Sequence, residues 1–239
     1  MESNTKPIAH NHISVDCVVI GFDGTQLQVL LIKRNTQELH DMKLPGSLIY
    51  QDEDLDEAAH RTLDTLAGVQ IDNLSQFKTY GSHNRTKNSL DTHWLQQAWH
   101  QHIERIVTIA YFSTVRQLPR ISSQFEATWV PLNNIQELAF DHNTIILDAL
   151  EHMRMLAITT PSLLFNMLPR KFTILQLRTL FSLVQNRELD VRNFHKKLKQ
   201  MPYVVSTEEY QKSVSHRAAR YYRFDRKIYN KVYGVRAMK

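Results

Sequence analysis

Residues 44–69 of the chain read LPGSLIYQDEDLDEAAHRTLDTLAGV, the strongest structural signal in the N-terminal half. Apolar residues recur there at the spacing of one helical face, at Leu55, Ala58, Ala59, Leu63 and Leu66. Gly68 follows, and a glycine readily ends a helix in the left-handed conformation. The pattern predicts an amphipathic helix over residues 54–67, preceded by a loop.

Short β-branched and apolar segments flank this helix. Residues 15–22 and 26–33 are predicted to be strands, and the turn Asp23-Gly24-Thr25 between them is typical of a hairpin. Further strands are predicted at residues 77–80, 106–114 and 128–130, and a second helix at 143–156. Strands interleaved with helices predict an α+β fold.

The spacing of residues 47–69 resembles the Nudix box, Gly-x5-Glu-x7-Arg-Glu-U-x-Glu-Glu-x-Gly-U, in which U is apolar. Ser47 stands at the first glycine, and the matching positions are Glu53, Arg61, Leu63, Gly68 and Val69. The resemblance implies a Nudix-type α/β/α sandwich with a mixed sheet. It also implies that Glu53 and Arg61 join the loop to the helix rather than hold the catalytic metal.

The residues that would perform Nudix chemistry are missing from this box. Active members carry three glutamates after the arginine, which hold divalent cations on a diphosphate and help to activate water. Thr62, Thr65 and Leu66 stand at those positions. Glu57 and Asp64 offer an alternative carboxylate pair, but catalytic carboxylates need a fixed geometry. We therefore expect no catalytic residue, no metal or cofactor, and no enzyme activity.

Charge is distributed unevenly along the chain. The 239 residues carry a net charge of +5, but residues 1–164 hold 12 Lys and Arg against 19 Asp and Glu. Residues 165–239 hold 17 Lys and Arg against 5 Asp and Glu. A short basic segment that follows an acidic one favours a polyanion-binding module at the C-terminus.

The basic segment has the outline of a winged helix-turn-helix. Thr173 is a suitable N-cap for a helix over residues 174–185, and Asp190 for a second helix over residues 191–200. Two strands of a hairpin follow, at residues 203–206 and 220–224. We predict an effector-binding domain at residues 1–157, a linker at 158–170 and a winged helix-turn-helix domain at 171–239.

Nearly the whole chain resembles the Nudix-related transcriptional regulators, which include repressors of NAD biosynthesis and regulators of sugar use. The segments that carry the resemblance are residues 139–142, 166–173, 190–198 and 216–224. Two positions depart from the family pattern. Ala218 replaces a proline of the wing, and His195 stands where the family helix often has arginine. Either change could alter which DNA sequence is read.

The second helix of this domain presents one basic face. Arg192, His195, Lys196 and Lys199 recur at spacings of three and four residues, which suits a phosphate-lined major groove. We predict that double-stranded operator DNA is bound by a homodimer. The predicted contacts are Arg192, Asn193, His195, Lys196, Lys197 and Lys199 on the helix, with Arg217 and Arg220 on the wing.

A small effector is expected in the old Nudix substrate pocket, walled by residues 44–54 and the helix that follows. The predicted ligand contacts are Arg34, Tyr50, Glu57 and Arg105. The resemblance implies a sugar or an ADP-ribose-like metabolite. The sugar is favoured because the missing carboxylates are the residues that, in active members, hold the divalent cations that bind a diphosphate. The alternative function is a weak Nudix hydrolase of nucleoside diphosphate derivatives, whose basic tail serves RNA or oligomerisation.

Other features bound the class of protein. No apolar run approaches the roughly 20 residues of a membrane span, and the N-terminus lacks the apolar core of a secretory signal. Cys17 is the single cysteine, so we expect a cytoplasmic protein without an internal disulfide. The histidines of residues 82–104 lack the spacing of a helical zinc pair and are interpreted as polar surface. Trp94 and Trp99 either pack this insertion onto the body or line a dimer contact.

Overall fold

Both strands and helices form along the chain, with four consecutive strands before the first helix, which confirms the predicted α+β class. The structure, a computed structural model, describes residues 9–35, 40–86, 88–100, 102–103, 105–212 and 218–234. Within these ranges the chain forms two units. The first contains residues 9–20, 28–114 and 118–152, and the second contains 21–27, 115–117 and 153–234.

The elements up to residue 159 follow in this order: β1 (Ala9–Phe22), β2 (Leu27–Asn35), β3 (His40–Lys43), β4 (Gly46–Tyr50), α1 (Leu55–Ala67), β5 (Ser75–Tyr80), α2 (Ser89–Trp99), β6 (Val107–Val115), β7 (Ala127–Pro131), a 3-10 turn (Leu132–Asn134) and α3 (His142–Thr159). Helix α3 begins in the first unit and ends in the second.

The strands of the first unit form one sheet with β1 at its centre. The order is β3-β2-β1-β6-β5, with β4 paired to β1 and β7 paired to β2. Because β1 has several neighbouring strands, its residues 17–20 are completely buried. Strand β4 runs antiparallel to β1, and this register places Gly46 directly opposite Asp16.

The turn between β1 and β2 confirms the predicted hairpin. The carboxylate of Asp23 accepts the backbone N–H groups of Thr25 at 2.8 Å and Gln26 at 2.9 Å. Gly24 has a φ of +107°, a value that residues with a side chain rarely adopt. A short polar side chain and a glycine therefore supply what this turn requires.

Helix α1 ends as its sequence predicts. At its N-terminus, the Asp54 N–H donates to the Glu57 carboxylate at 2.9 Å. At its C-terminus, Gly68 has a φ of +63° and its N–H donates to the Asp64 carbonyl at 2.9 Å. A Cβ at Gly68 would lie 2.3 Å from the Phe125 ring, so packing also requires glycine there.

The insertion at residues 82–104 contains helix α2. The Asn88 side chain caps it by accepting the Leu90 N–H at 3.0 Å. Trp94 and Trp99 pack against a buried cluster that includes Leu48. This confirms the alternative in which the tryptophans pack the insertion onto the body of the domain.

The second unit has a three-stranded sheet and four short helices within its described residues after α3. The elements are α4 (Ser162–Met167), β8 (Phe172–Thr173), α5 (Ile174–Gln185), α6 (Val191–Leu198), β9 (Val204–Tyr210), β10 (Arg220–Phe224) and α7 (Arg226–Tyr233). The sheet has the order β8-β10-β9, with antiparallel pairing throughout.

Aromatic rings form the core of the second unit. Phe165 stacks on Phe224 with ring centroids 4.6 Å apart, and it meets Phe181 and Tyr203 edge to face. Phe224 therefore belongs to the core of this unit. Both predicted caps are also confirmed: Thr173 accepts the Gln176 N–H, and Asp190 accepts the Asn193 N–H.

The sequence did not predict β3, β4, α4, β8 or α7. These elements have two to eight residues, too few for a periodic pattern to stand out. None of the described helices is long and apolar enough to cross a membrane.

Candidate functional site

The retained residues of the Nudix box form a structural clip. Arg61 donates to both carboxylate oxygens of Glu53, at 2.7 and 2.5 Å, and to the Leu48 carbonyl at 3.0 Å. Glu53 also accepts the Tyr50 N–H at 2.7 Å. Burial opposes ionisation of Glu53, but these hydrogen bonds hold its pKa below the usual range. The prediction that Glu53 and Arg61 join loop to helix is confirmed.

The three positions where the Nudix pattern has glutamates after the arginine also have structural surroundings. Thr62 is completely buried, and its hydroxyl has no hydrogen-bond partner in the described part of the protein. The Thr65 hydroxyl donates to the Arg61 carbonyl at 2.7 Å, and Leu66 is half-buried. Among the described residues, no three His, Cys, Asp or Glu side chains gather where they could share a metal ion.

A pocket lies within the first unit, with a volume of about 460 Å³ when its open mouth is included. Its polar lining consists of Ser14, Asp16, Lys43, Ser47, Arg85, Thr86, Thr108 and His142. Its other lining residues are Gly46, Leu48, Trp94, Leu95, Trp99, Ile106 and Phe140. The expected loop at residues 44–54 contributes to this wall, whereas α1 supplies none of the described lining residues.

The floor of the pocket is built around the buried carboxylate of Asp16. One carboxylate oxygen lies 3.7 Å from the His142 Nε2, and the other lies 3.8 Å from an Arg85 nitrogen. Burial opposes ionisation of Asp16, but His142, Arg85 and Lys43 together lower its pKa. A Cβ at Gly46 would lie 1.8 Å from an Asp16 oxygen, so this approach requires glycine. Asp16 is therefore an ionised acceptor inside the pocket.

The other charged groups of the floor are held by hydrogen bonds. The Leu44 N–H donates to the His142 Nδ1 at 2.9 Å, which places the proton of a neutral ring on Nε2, facing Asp16. Lys43 donates to the carbonyl oxygens of Leu44 at 3.2 Å and Gly46 at 3.0 Å. Complete burial lowers the pKa of Lys43 to about 8.

Arg85 and two hydroxyl groups line another side of the floor. The Arg85 guanidinium donates to both carboxylate oxygens of Asp141, at 3.1 and 2.8 Å, and to the Thr108 hydroxyl. The Thr108 and Ser14 hydroxyls are hydrogen-bonded to each other at 2.5 Å. The floor thus combines an anion, cations and hydroxyls that can serve several polar groups of one ligand.

Aromatic rings form a wall of the pocket. Trp94 and Phe140 meet edge to face, with ring centroids 6.4 Å apart, and Trp99 meets Tyr50 at 6.3 Å. Polar groups and aromatic rings lining one pocket suit a small ligand that has both hydroxyls and an apolar face. This arrangement supports binding of such a ligand.

The four predicted ligand contacts lie outside this pocket, and each has another role. Arg34 is buried between Asp41 and Asp91. Tyr50 is half-buried against Trp99 and the Arg61 guanidinium. Glu57 caps α1, as described above. Arg105 donates to the Gly81 carbonyl at 2.7 Å. None of the four is among the described lining residues.

Sequence reasoning missed Asp16, Lys43, Arg85 and His142 as one cluster. Asp16 had a detectable signal, because it is a charged residue inside the apolar run Val15-Asp16-Cys17-Val18. An ionisable residue at a strand position that must be buried needs partners. The partners themselves come from distant segments, which periodicity cannot connect.

In the second unit, α6 presents the predicted basic face. Arg192, Asn193, His195, Lys196 and Lys199 are exposed, whereas Phe194 is buried and joins the core. Lys197 is half-buried, and its ammonium lies 4.9 Å from the centroid of the Phe181 ring. Burial, followed by repulsion from Arg187, lowers the pKa of Lys197. Lys197 is thus set apart from the exposed face.

The wing carries the other predicted contacts. Arg220 is exposed on β10, where its guanidinium donates to the Tyr210 hydroxyl at 3.0 and 2.5 Å. Arg217 lies outside the described residues. Arg223, on the same strand, pairs with Asp225 at 2.9 Å. Arg220 is therefore an exposed cation whose orientation is held by a neighbouring tyrosine.

The pKa of Lys43 provides a test of the buried floor. Between pH 8 and the ordinary pKa of 10.5, the folded protein has released a proton that the unfolded chain still binds. Stability contributed by this group therefore rises with pH across that window. Lys43→Met lacks this group, so its unfolding free energy is the reference for that of the wild type. From pH 7 to pH 10, the wild type should gain on the order of 2 kcal/mol of unfolding free energy relative to the variant.

Urea unfolding at intervals of one pH unit measures this difference. Lys33→Met is the matched control, because Lys33 is exposed on β2. The control curve should run parallel to wild type, and a parallel curve for Lys43→Met would contradict the buried-amine interpretation.

Comparison with known proteins gives consistent matches for both units. The NUDIX domain model matches residues 10–149, and the model described as the NrtR DNA-binding winged helix domain matches residues 164–224. The ADPR responsive transcriptional repressor NtrR of Acinetobacter baylyi is 26% identical over 220 residues, covering 89% of this chain and 81% of the relative.

Solved structures share the fold. NrtR of Shewanella oneidensis in complex with a 27mer DNA has a TM-score of 0.65 at 23% identity, covering 89% of this chain and 93% of that chain. A MutT/nudix family protein from Enterococcus faecalis has a TM-score of 0.60 at 20% identity, covering 93% and 88%. The chain therefore belongs to the Nudix family, and its Nudix domain followed by an NrtR-type winged helix makes it a homologue of the Nudix-related transcriptional regulators.

Proposed function

We propose that this protein is a transcriptional repressor that binds operator DNA through its winged helix and responds to a small effector through its Nudix domain. The exposed basic face of α6 is the observation that carries the proposal. Its phenylalanine packs inward, so Arg192, His195, Lys196 and Lys199 are left for a partner. A helix-turn-helix protein places such a helix in the major groove.

The relatives support this proposal. The Acinetobacter NtrR is named a transcriptional repressor, and the Shewanella NrtR of similar fold was solved with DNA. The winged helix model that matches residues 164–224 is itself described as DNA-binding. The excess of basic residues after residue 164 provides the long-range attraction that non-specific contact with a duplex requires.

We propose a neutral sugar as the effector, with ADP-ribose as the alternative. The two cations of the pocket are already engaged: Arg85 binds Asp141 and lies near Asp16, and Lys43 donates to two carbonyl oxygens. A diphosphate would need further cations or a metal to balance its charge. Hydroxyl groups need only the donors and acceptors of the floor. ADP-ribose is favoured by one observation, that the Acinetobacter relative is named ADPR responsive.

The DNA-binding proposal predicts the effect of removing two exposed cations of α6. Arg192→Ala plus Lys196→Ala should weaken binding to the upstream region of the protein's own operon by about tenfold or more. The loss should be greater for the operator than for random duplex, because Arg192 lies near the helix N-terminus, where base edges come within reach. A gel shift with excess competitor DNA measures both affinities, and the bound sequence should be an inverted repeat if a homodimer binds.

Lys33→Ala plus Arg120→Ala is the matched control, because it removes two exposed positive charges from the first unit. It should leave operator binding nearly unchanged. Equal affinity of the wild type for operator and random duplex would contradict the proposal, as would unchanged binding by the α6 double variant.

The effector proposal predicts a ligand that raises the melting temperature in proportion to occupancy. A thermal-shift screen should include pentoses, hexoses, their phosphates, ADP-ribose and NAD, and we expect a neutral sugar to stabilise the protein. Thr108→Val removes a hydroxyl from the pocket floor and should reduce the shift. Thr79→Val, at an exposed position of β5, should preserve it. A shift produced by ADP-ribose alone would select the alternative effector.

Catalytic silence is the third expected property, because the Nudix positions hold Thr62, Thr65 and Leu66. Purified protein with magnesium or manganese should release no product from ADP-ribose, NADH or nucleoside diphosphate sugars above background. Turnover that is abolished by Glu57→Gln or Glu53→Gln would instead support the alternative, a weak Nudix hydrolase.

A further inference from the structure

Helix α2 forms much of the aromatic pocket wall, and it is anchored by a buried carboxylate. Its residues Trp94, Leu95 and Trp99 line the pocket. Asp91, near the start of the same helix, is only 3% exposed. Because a buried carboxylate is stable only with partners, the contacts of Asp91 fix where the helix can sit.

The two oxygens of Asp91 bind two different parts of the first unit. Oδ1 lies 2.7 Å from an Arg34 nitrogen on β2, and Oδ2 accepts the backbone N–H of Phe140 at 2.9 Å. Arg34 reinforces this junction, because its guanidinium lies 5.1 Å from the Trp94 ring centroid and 5.6 Å from that of Phe140.

Phe140 begins a segment of three residues that all contact the pocket floor or wall. Phe140 lines the pocket and has a φ of +55°, a strained value for a residue with a side chain. Asp141 binds Arg85 through both carboxylate oxygens, and the His142 ring faces Asp16. A ligand that shifts the wall or the floor therefore acts on consecutive residues of this segment.

Helix α3 begins at the end of the same segment. His142 is its first residue, and the Asp141 carbonyl accepts the N–H groups of Thr144 and Ile145 at 2.9 and 3.1 Å. The helix continues without interruption to Thr159. The first turn of α3 thus follows directly from residues 140–142, which contact the pocket. The last turn of α3 belongs to the second unit.

We propose that Asp91, held by Arg34, is the positioning residue that couples the pocket wall in α2 to the first turn of α3. The proposal rests on the proposed function and adds a route by which effector binding reaches the DNA-binding unit. When the ligand moves α2, the Asp91–Phe140 hydrogen bond carries the displacement to residues 140–142. Coupling between two sites requires an element whose position both of them bias, and residues 140–142 are that element.

The first experiment measures the link without any ligand. Hydrogen exchange of the full-length protein should be faster at the Phe140 amide and in the first turn of α3 in Asp91→Ala than in wild type. Asp91→Asn should give an intermediate rate, because an amide has one oxygen to serve two donors. Unchanged protection at Phe140 in both variants would overturn the proposal, whatever the effector proves to be.

The second experiment measures coupling. Operator affinity is determined with and without each pentose and hexose of the thermal-shift screen and with and without ADP-ribose. For each compound, the operator affinity without the compound divided by the operator affinity with it measures the coupling. Where this ratio differs from one in the wild type, it should move towards one by about twofold to thirtyfold in Asp91→Ala. Operator affinity without ligand is the reference in this ratio, so a change in basal binding is not counted as a change in coupling.

Asp64→Ala is the matched control, since Asp64 is exposed on α1 and should leave the ratio unchanged. If Asp91→Ala does not fold, the smaller change in Asp91→Asn provides the test. A wild-type ratio of one for every compound overturns the proposed function and this inference with it. If the wild-type ratio differs from one and a folded Asp91 variant keeps the same ratio, only the coupling role of Asp91 is overturned.

Discussion

The buried carboxylate of Asp16 is the constraint around which the first unit is arranged. It lies on the central strand, where a charge without partners would be strongly destabilising. His142, Arg85 and Lys43 all lie close enough to favour its ionised form, and Gly46 leaves the space that the carboxylate occupies. The groups that stabilise Asp16 are also the polar floor of the pocket. The contacts that stabilise this buried charge therefore also shape the pocket.

The Nudix box has kept the part of its sequence that holds the fold together. Glu53 and Arg61 still join the loop to α1, with further hydrogen bonds from Arg61 to the Leu48 carbonyl and the Ser47 hydroxyl. The threonines at the former metal positions turn inward or bond to their own helix. The same loop also supplies Gly46, Ser47 and Leu48 to the pocket. The loop that Glu53 and Arg61 fix to α1 therefore also borders the pocket.

The second unit separates its stabilising residues from its charged ones. Its core is a cluster of aromatic rings centred on Phe165, which requires no charged partner. Most basic residues of α6 are therefore free of structural duty, with Lys197 as the exception because its ammonium lies over the Phe181 ring. This division explains how a small domain can present a strongly basic face, since the repulsion among those charges is offset by a core that does not depend on them.

Local features were predictable from the sequence, because each depends on neighbours a few residues away. Helix α1 with its terminal Gly68, the Asp23 turn, and the caps Thr173 and Asp190 are of this kind. The pocket was not predictable. Leu44 and His142 are hydrogen-bonded although 98 positions separate them. Arg34 was predicted as a ligand contact, but β3 and α2 bring Asp41 and Asp91 to it. Periodicity and spacing specify which face of an element is buried. Only the packing of distant elements specifies which buried charges meet, because that choice depends on how the partners satisfy one another.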